Sequence, residues 1–233
     1  MALVKYGGGV IQMAGSIAGN TFARNRYGNY VRARTKPVNP NSSLQQQVRN
    51  TMAWLVEHWA STLTALERSA WNTYASNVAM LNRLGESINL SGFNHFVRAN
   101  ASRKRHGDTI IATGPTVFDI PEHDPSFDFT ASEASQDLTV AFDDTEEWCD
   151  LDDAHMYIFV GSPQNPQRNF FAGPWRYADK IDGASVSPPS TPVTVASPFV
   201  LVEGQALWIY GRIAMDDGRL SEPFRVGPIL VAS

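Results

Sequence analysis

Residues 206–215 read Ala-Leu-Trp-Ile-Tyr-Gly-Arg-Ile-Ala-Met, then Asp216-Asp217-Gly218, and the chain returns through Ser221-Glu222-Pro223-Phe224-Arg225-Val226. Leu207, Ile209 and Ile213 alternate onto one face, as a half-buried strand requires. Asp-Gly between two such runs is favoured turn chemistry, so the stretch predicts an antiparallel hairpin. The same pattern recurs upstream. Strand-like runs occupy 127–130, 138–142, 156–160, 175–181 and 193–195 before the hairpin pair 207–215 and 224–231. Seven short strands separated by Gly, Pro, Asn and Ser predict an antiparallel β-sandwich over residues 108–233.

Before residue 108 the periodicity changes. Asn41-Ser42-Ser43-Leu44-Gln45-Gln46 is a helix start, with a capping serine and a glutamine three residues on. Leu44, Val48, Met52, Leu55 and Trp59 follow at helical spacing and predict one buried stripe. Thr64-Ala65-Leu66-Glu67 is a second capping box, leading into Leu66, Ala70, Trp71, Tyr74 and Val78 on a single face, and Asn82-Arg83-Leu84-Gly85 breaks the pattern. Ser91 caps a third helix with Phe93, Phe96, Val97 and Asn100 inward, closing at His106-Gly107. Residues 41–107 therefore read as a small three-helix bundle, each helix too short to stand unless its apolar face is covered. Trp54 lies a step off the first stripe and reads as an exposed contact. The other tryptophans and His58 and His95 read as core, since neither histidine has a nearby cysteine or acidic pair to share a metal.

Residues 1–40 carry Lys5, Arg24, Arg26, Arg32, Arg34 and Lys36 without one acidic residue. Glycines at 7, 8, 9, 15, 19 and 28 argue against a helix. Residues 21–26 and 29–34 alternate like strands around Tyr27-Gly28-Asn29, predicting a hairpin with Tyr30, Arg32 and Arg34 on one face and Val31 and Ala33 on the other. A two-stranded ribbon with so few apolar residues is marginal in water, so this extended arm should need a partner surface to become ordered. Fully extended, it reaches roughly 130 Å, and Pro37 and Pro40 fix an extended exit. Its candidate partner-binding residues are Phe22, Arg24, Arg26, Tyr27, Tyr30, Arg32, Arg34 and Lys36.

Charge divides the 233-residue chain sharply. Residues 1–106 hold 13 Lys/Arg against 3 Glu, a net +10, whereas 107–233 hold 6 against 20 carboxylates, a net −14. A step of this size marks a module boundary and is consistent either with solubility or with head-to-tail pairing of subunits. Basic residues interleaved with aromatics also fit a nucleic-acid groove, but the overall isoelectric point of about 5.7 opposes nonspecific phosphate binding.

Catalytic signatures do not emerge. One cysteine, Cys149, excludes a disulfide framework or a multi-cysteine metal site, and with no neighbouring base it reads as a packed thiol. There is no Gly-x-Ser-x-Gly elbow, and Gly7-Gly8-Gly9 lacks the lysine of a phosphate loop. The segment Asp143–Asp153 holds seven carboxylates in eleven residues. Calcium would suit such oxygens, but the loop lacks an EF-hand's glycine and terminal glutamate, so a solvated acidic turn is the simpler reading. The start of the chain reads neither as a signal peptide nor, with five glycines between Tyr6 and Ala23, as a membrane span. No cofactor, metal or enzymatic activity is expected.

Gly15-Ser16-Ile17-Ala18-Gly19-Asn20-Thr21-Phe22, Arg24-Asn25-Arg26-Tyr27-Gly28-Asn29-Tyr30, Arg32-Ala33-Arg34 and Pro37-Val38-Asn39-Pro40-Asn41 occur in order. With Gln45-Gln46-Gln47-Val48-Arg49, Trp59 to Leu66, Arg68-Ser69-Ala70-Trp71, Ser91-Gly92-Phe93 and Phe96 to Asn100, they resemble a group of tailed-phage and prophage structural proteins. The resemblance covers about residues 15–107. Separately, the 206–226 hairpin resembles the last strand pair of fibronectin type III domains, which implies an Ig-like sandwich and speaks to fold only. Together these imply a virion structural protein whose partners are a major capsid protein or neighbouring copies of itself. A capsid-surface decoration or cement (minor capsid) subunit is the leading expectation. The alternatives are a head–tail connector or tail subunit, a protein contacting the packaged genome, or a carbohydrate-binding adsorption module using exposed Trp175 or Trp208.

Overall fold

The computed structural model describes residues 2–3, 7–10, 12–25, 28–36, 38–81 and 86–233, and the expected break in the helical pattern at Asn82-Arg83-Leu84-Gly85 lies outside them. The fold is α+β, with three α-helices and several antiparallel sheets. The chain forms two compact units, Met1–Gln45 and Gln46–Ser233. The charge step at 106/107 therefore falls inside the second unit.

The first unit is a four-stranded antiparallel sheet. Strands β1 (Ala2–Leu3), β2 (Gly15–Ile17), β3 (Asn20–Asn25) and β4 (Gly28–Ala33) are ordered β1-β4-β3-β2. The expected hairpin is β3–β4, and β1 and β2 flank it on either side. Helix α1 (Ser43–Glu57) begins where the Ser42 hydroxyl accepts from the Gln45 amide at 3.4 Å, and it runs into a π turn at His58–Thr62.

In the second unit, α2 (Ala65–Asn77) starts with the expected capping box. The Glu67 amide donates to Thr64 Oγ1 at 3.3 Å, and the Thr64 amide donates to Glu67 Oε2 at 2.7 Å. A short ladder, β5 (Ala79–Leu81) with β6 (Ser87–Asn89), leads to α3 (Gly92–His106). Ser91 caps the start of α3, and Gly107 ends it in the left-handed region at φ 83°. Leu55, Leu63, Trp71, Tyr74, Val78, Phe96 and Ala99 bury one core, with Trp54 and Trp59 packed against it. Trp54 is a contact inside the unit, contrary to its expected exposure. It stacks on His58 with ring centroids 4.5 Å apart, and the Lys104 ammonium lies 3.9 Å from its ring centre.

The seven expected strands are all present: β7 (Asp128–Ala131), β8 (Asp137–Ala141), β9 (His155–Gly161), β10 (Trp175–Asp182), β11 (Val193–Ala196), β12 (Ala206–Ala214) and β13 (Phe224–Leu230). They form a four-stranded sheet, β10-β9-β12-β13, and a three-stranded sheet, β11-β8-β7. Inward residues of both sheets, among them Phe129, Leu138, Val140, Met156, Ile158, Val160, Leu207, Ile209 and Ile213, make one hydrophobic core. Gly211 leaves room there, since a Cβ would sit 2.6 Å from the Phe224 ring.

Arginines from α3 join the helices to the sheets. Arg103 is fully buried and donates to the carbonyls of Asp153 at 2.9 Å and Met215 at 2.7 Å. Arg98 donates to the Ser221 carbonyl and to Glu222, both at 3.0 Å. Carbonyls buried at the sheet ends need donors, and a long cationic side chain from a neighbouring helix supplies them.

Candidate functional site

The sheet of the first unit holds Phe22, Arg24, Tyr30 and Arg32 of the expected partner-binding residues. In antiparallel register, directly opposed residues share a face. Phe22 opposes Val31 and Gly15, Asn20 opposes Ala33 and Ile17, and Arg24 opposes Asn29. Ile17, Phe22, Val31 and Ala33 thus form an apolar face edged by Arg24. On the reverse face, Thr21 opposes Arg32 and Ser16, and Ala23 opposes Tyr30. A 2.9 Å hydrogen bond between the Ser16 and Thr21 hydroxyls is consistent with that assignment. The expected split of Tyr30 and Arg32 from Val31 and Ala33 is therefore present, while Phe22 and Arg24 fall on the face opposite Tyr30. Arg34 lies just past β4, and its amide donates to the Gly19 carbonyl at 2.8 Å. Lys36 is exposed beyond it. Arg26 and Tyr27 lie outside the described residues.

No described residue with an assigned exposure before Thr51 is buried. Ile17 on the apolar face is 64% exposed. Sheets are held chiefly by the apolar face they cover, so a ladder without a covered face opens at little cost in free energy.

Helix α1 continues the pattern and corrects an expectation. Leu55 is fully buried, but Leu44, Val48 and Met52 of the same stripe are exposed, as is Val56 on the adjoining turn. The stripe is apolar as its spacing requires, and its first half is exposed. Leu66, expected on the inner face of α2, is also exposed, because α2 buries Trp71, Tyr74 and Ala75 instead.

The other candidate chemistry is structural. Cys149 is buried, its thiol 3.7 Å from the Asp143 carbonyl; burial first, then Asp144 and Asp150, pushes it up to about 12. In the acidic segment, Asp143 binds the Thr145 amide and hydroxyl, Asp144 the Thr191 amide, and Asp152 Ser185. These carboxylates stabilise separate turns rather than converging on one point. Among the described residues no three His, Cys, Asp or Glu side chains are placed to hold a metal ion. Beside the segment, Asp119, Glu122, Glu146, Trp148 and Arg219 line a cleft of about 390 Å³. Burial, then Asp124, Asp143 and Glu122, raises the Glu146 carboxyl above its ordinary range.

Sequence reasoning missed a polar network beneath α3. Asp108 accepts from the Tyr157 hydroxyl at 2.7 Å and pairs with Lys180, which also meets Asp182 at 2.8 Å; His155 Nδ1 is 2.7 Å from Asp182. Apart from Lys180 with Asp182, the partners are tens of residues apart, so no local spacing announces the network. Tyr157 and Tyr177 are raised by burial, His155 is lowered by burial and then by Lys180, and for Asp108 burial acts upward but the hydrogen bonds from Lys180 and Tyr157 outweigh it and hold it low. Among the described residues no helix is long and apolar enough to cross a membrane. Compared with known proteins, the chain matches no family model, no curated protein and no solved structure.

Proposed function

We propose that this chain is a non-enzymatic structural subunit of a tailed-phage particle: a decoration or cement protein on the capsid surface, anchored by its basic N-terminal segment and displaying an acidic Ig-like β-sandwich. One observation carries the anchoring role. The chain before Thr51 combines an apolar sheet face, an apolar half-stripe on α1 and a cluster of arginines, and none of its described residues with an assigned exposure is buried. Apolar surface left open on a cation-rich segment is the composition of a docking element, because burying it on a partner supplies the hydrophobic free energy that the isolated segment lacks.

The sequence motifs over residues 15–107 support the virion assignment. The arrangement of four and three antiparallel strands around one core supports a fibronectin type III-like sandwich. The partner is the major capsid protein or a neighbouring copy, and the net −14 of residues 107–233 keeps the displayed part from adhering to nucleic acid. Removing residues 1–45 tests this reading. The remainder should keep its cooperative unfolding transition yet fail to enter particles, and entry of the truncated chain at full occupancy would refute the anchor.

A further inference from the structure

The four-stranded sheet has a second face. Its inward residues fill the core, and its outward residues are Tyr157 and Phe159 from β9, Trp175 and Tyr177 from β10, and Trp208 and Tyr210 from β12. The end of α3 covers the middle of this face, where His106 stacks on Tyr177, opposite Phe159 in register, with centroids 3.5 Å apart, and lies 6.0 Å from the Tyr157 ring. Toward Gly161, Trp208 is buried against Phe171, while Phe159, Trp175 and Tyr210 are half-exposed and Arg225 is exposed. Phe159 stacks on Tyr210 at 4.6 Å, Trp175 meets Tyr210 edge-on at 5.0 Å, and the Arg225 guanidinium lies 5.5 Å from the Trp175 ring centre.

Positive charge gathers at this point of an otherwise acidic half. Arg105, Arg212 and Arg225 all act on the Tyr210 hydroxyl, and Arg98 acts on Arg212. Among the described residues, the one ion pair made by these four arginines is that of Arg98 with Glu222. Burial, then repulsion from Arg98, lowers Arg212 to about 10. An arriving anion would relieve that repulsion. Tyrosine, tryptophan and arginine are also the side chains that concentrate binding energy at protein interfaces.

The densest anionic segment of the chain, Asp143–Asp153, joins β8 to β9 and so lies at the His155 end of the same sheet. Its hydrogen bonds to Ser185 and Thr191 hold it there, with Glu147 and Asp150 exposed. The aromatic patch sits toward the other end of β9, with Tyr210 four and Trp175 six residues from His155 in register, about 13–20 Å away along the strand. One molecule cannot close this pair on itself. We infer that the half-exposed outer face around Trp175, Tyr210 and Arg225 is the docking surface for the Glu147–Asp150 turn of a second copy of this chain. Such a contact joins unlike surfaces, so copies associate head to tail into a ring or an open row. The inference stands apart from the N-terminal anchor.

Sedimentation velocity of the full chain over a concentration series, at low and high salt, tests it. Self-association is expected, weakened by salt. Arg225→Glu should weaken it by on the order of tenfold, and so should the double reversal Glu147→Arg with Asp150→Arg. Combining both sets in one chain should restore it, a rescue that misfolding cannot produce. A monomer at every concentration, association indifferent to these reversals, or no rescue on combination would overturn the inference. Binding of an acidic oligosaccharide or an oligonucleotide through Arg225 without self-association would overturn it too.

Discussion

The Arg103 guanidinium at the end of α3 hydrogen-bonds the Met215 carbonyl at the end of β12, 112 residues further along the chain, at 2.7 Å. The strongly basic and strongly acidic stretches of the sequence meet there inside one body. Arg103 sits on the basic side of the charge step, and the carbonyls that it satisfies, those of Thr109, Asp153 and Met215, are on the acidic side.

Replacing Arg103 with methionine keeps much of the side-chain volume and leaves the Met215 and Asp153 carbonyls without their donor. Losing buried hydrogen bonds to a charged group costs about 3 kcal/mol. Urea unfolding should show that loss in a single transition that includes helices and sheets together. A variant as stable as the parent would mean that the tie is not structural.

Gly211→Ala places a methyl group against the Phe224 and Phe127 rings. Overpacking of this kind costs about 1–3 kcal/mol. Thermal unfolding followed by tryptophan fluorescence should register it as a lower midpoint with unchanged cooperativity.

Acid should weaken the second unit as its buried histidines are forced to take up protons. His106 is held down to about 4, chiefly by burial and then by Arg105, and His155 is lowered by burial and then by Lys180. A depressed folded-state value means that the unfolded chain takes up the proton first. Their contribution is therefore complete above the ordinary histidine value of 6.5 and is lost on acidification, that of His106 as pH falls toward about 4. The thermal midpoint should fall over that window, and His106→Phe, which keeps a ring against Tyr177, should flatten the dependence. An unchanged slope would show that His106 is not responsible.

Helix α1 offers a separation of stability from docking. Val48→Ser and Met52→Ser alter exposed positions, so unfolding should shift by less than about 0.5 kcal/mol. Leu55→Ala, one turn on and fully buried, should cost about 2–5 kcal/mol. Incorporation into particles should fall for the serine variants, measured by quantitative gel analysis of purified particles. Full incorporation would remove the half-stripe from the anchor.

Local chemistry made most elements legible: the caps at Thr64 and Ser91, the Gly107 stop, the β3–β4 hairpin and the seven later strands are all written in residues within a few positions of each other. What covers a face is not local. The stripe Leu44, Val48, Met52 and Leu55 announces an apolar surface, but only Leu55 is buried in a core, and spacing along one helix does not say which of its turns another element covers. The same blindness hid Arg98 and Arg103, whose partners are more than a hundred residues away or set by strand ends. The outer aromatic row also went unread. Alternation in β12 marks Leu207, Ile209 and Ile213 as one face, and the reverse face becomes a platform only once β9 and β10 pair beside it.

Hydrogen exchange of the backbone amides of β3 and β4, in the free chain and in the assembled particle, bears on the central claim most directly. In dilute monomer these amides should exchange nearly as fast as unstructured chain while the strands of the second unit stay protected, and assembly should protect them. Strong protection of β3 and β4 in the free monomer would contradict an N-terminal segment that depends on a partner for its order.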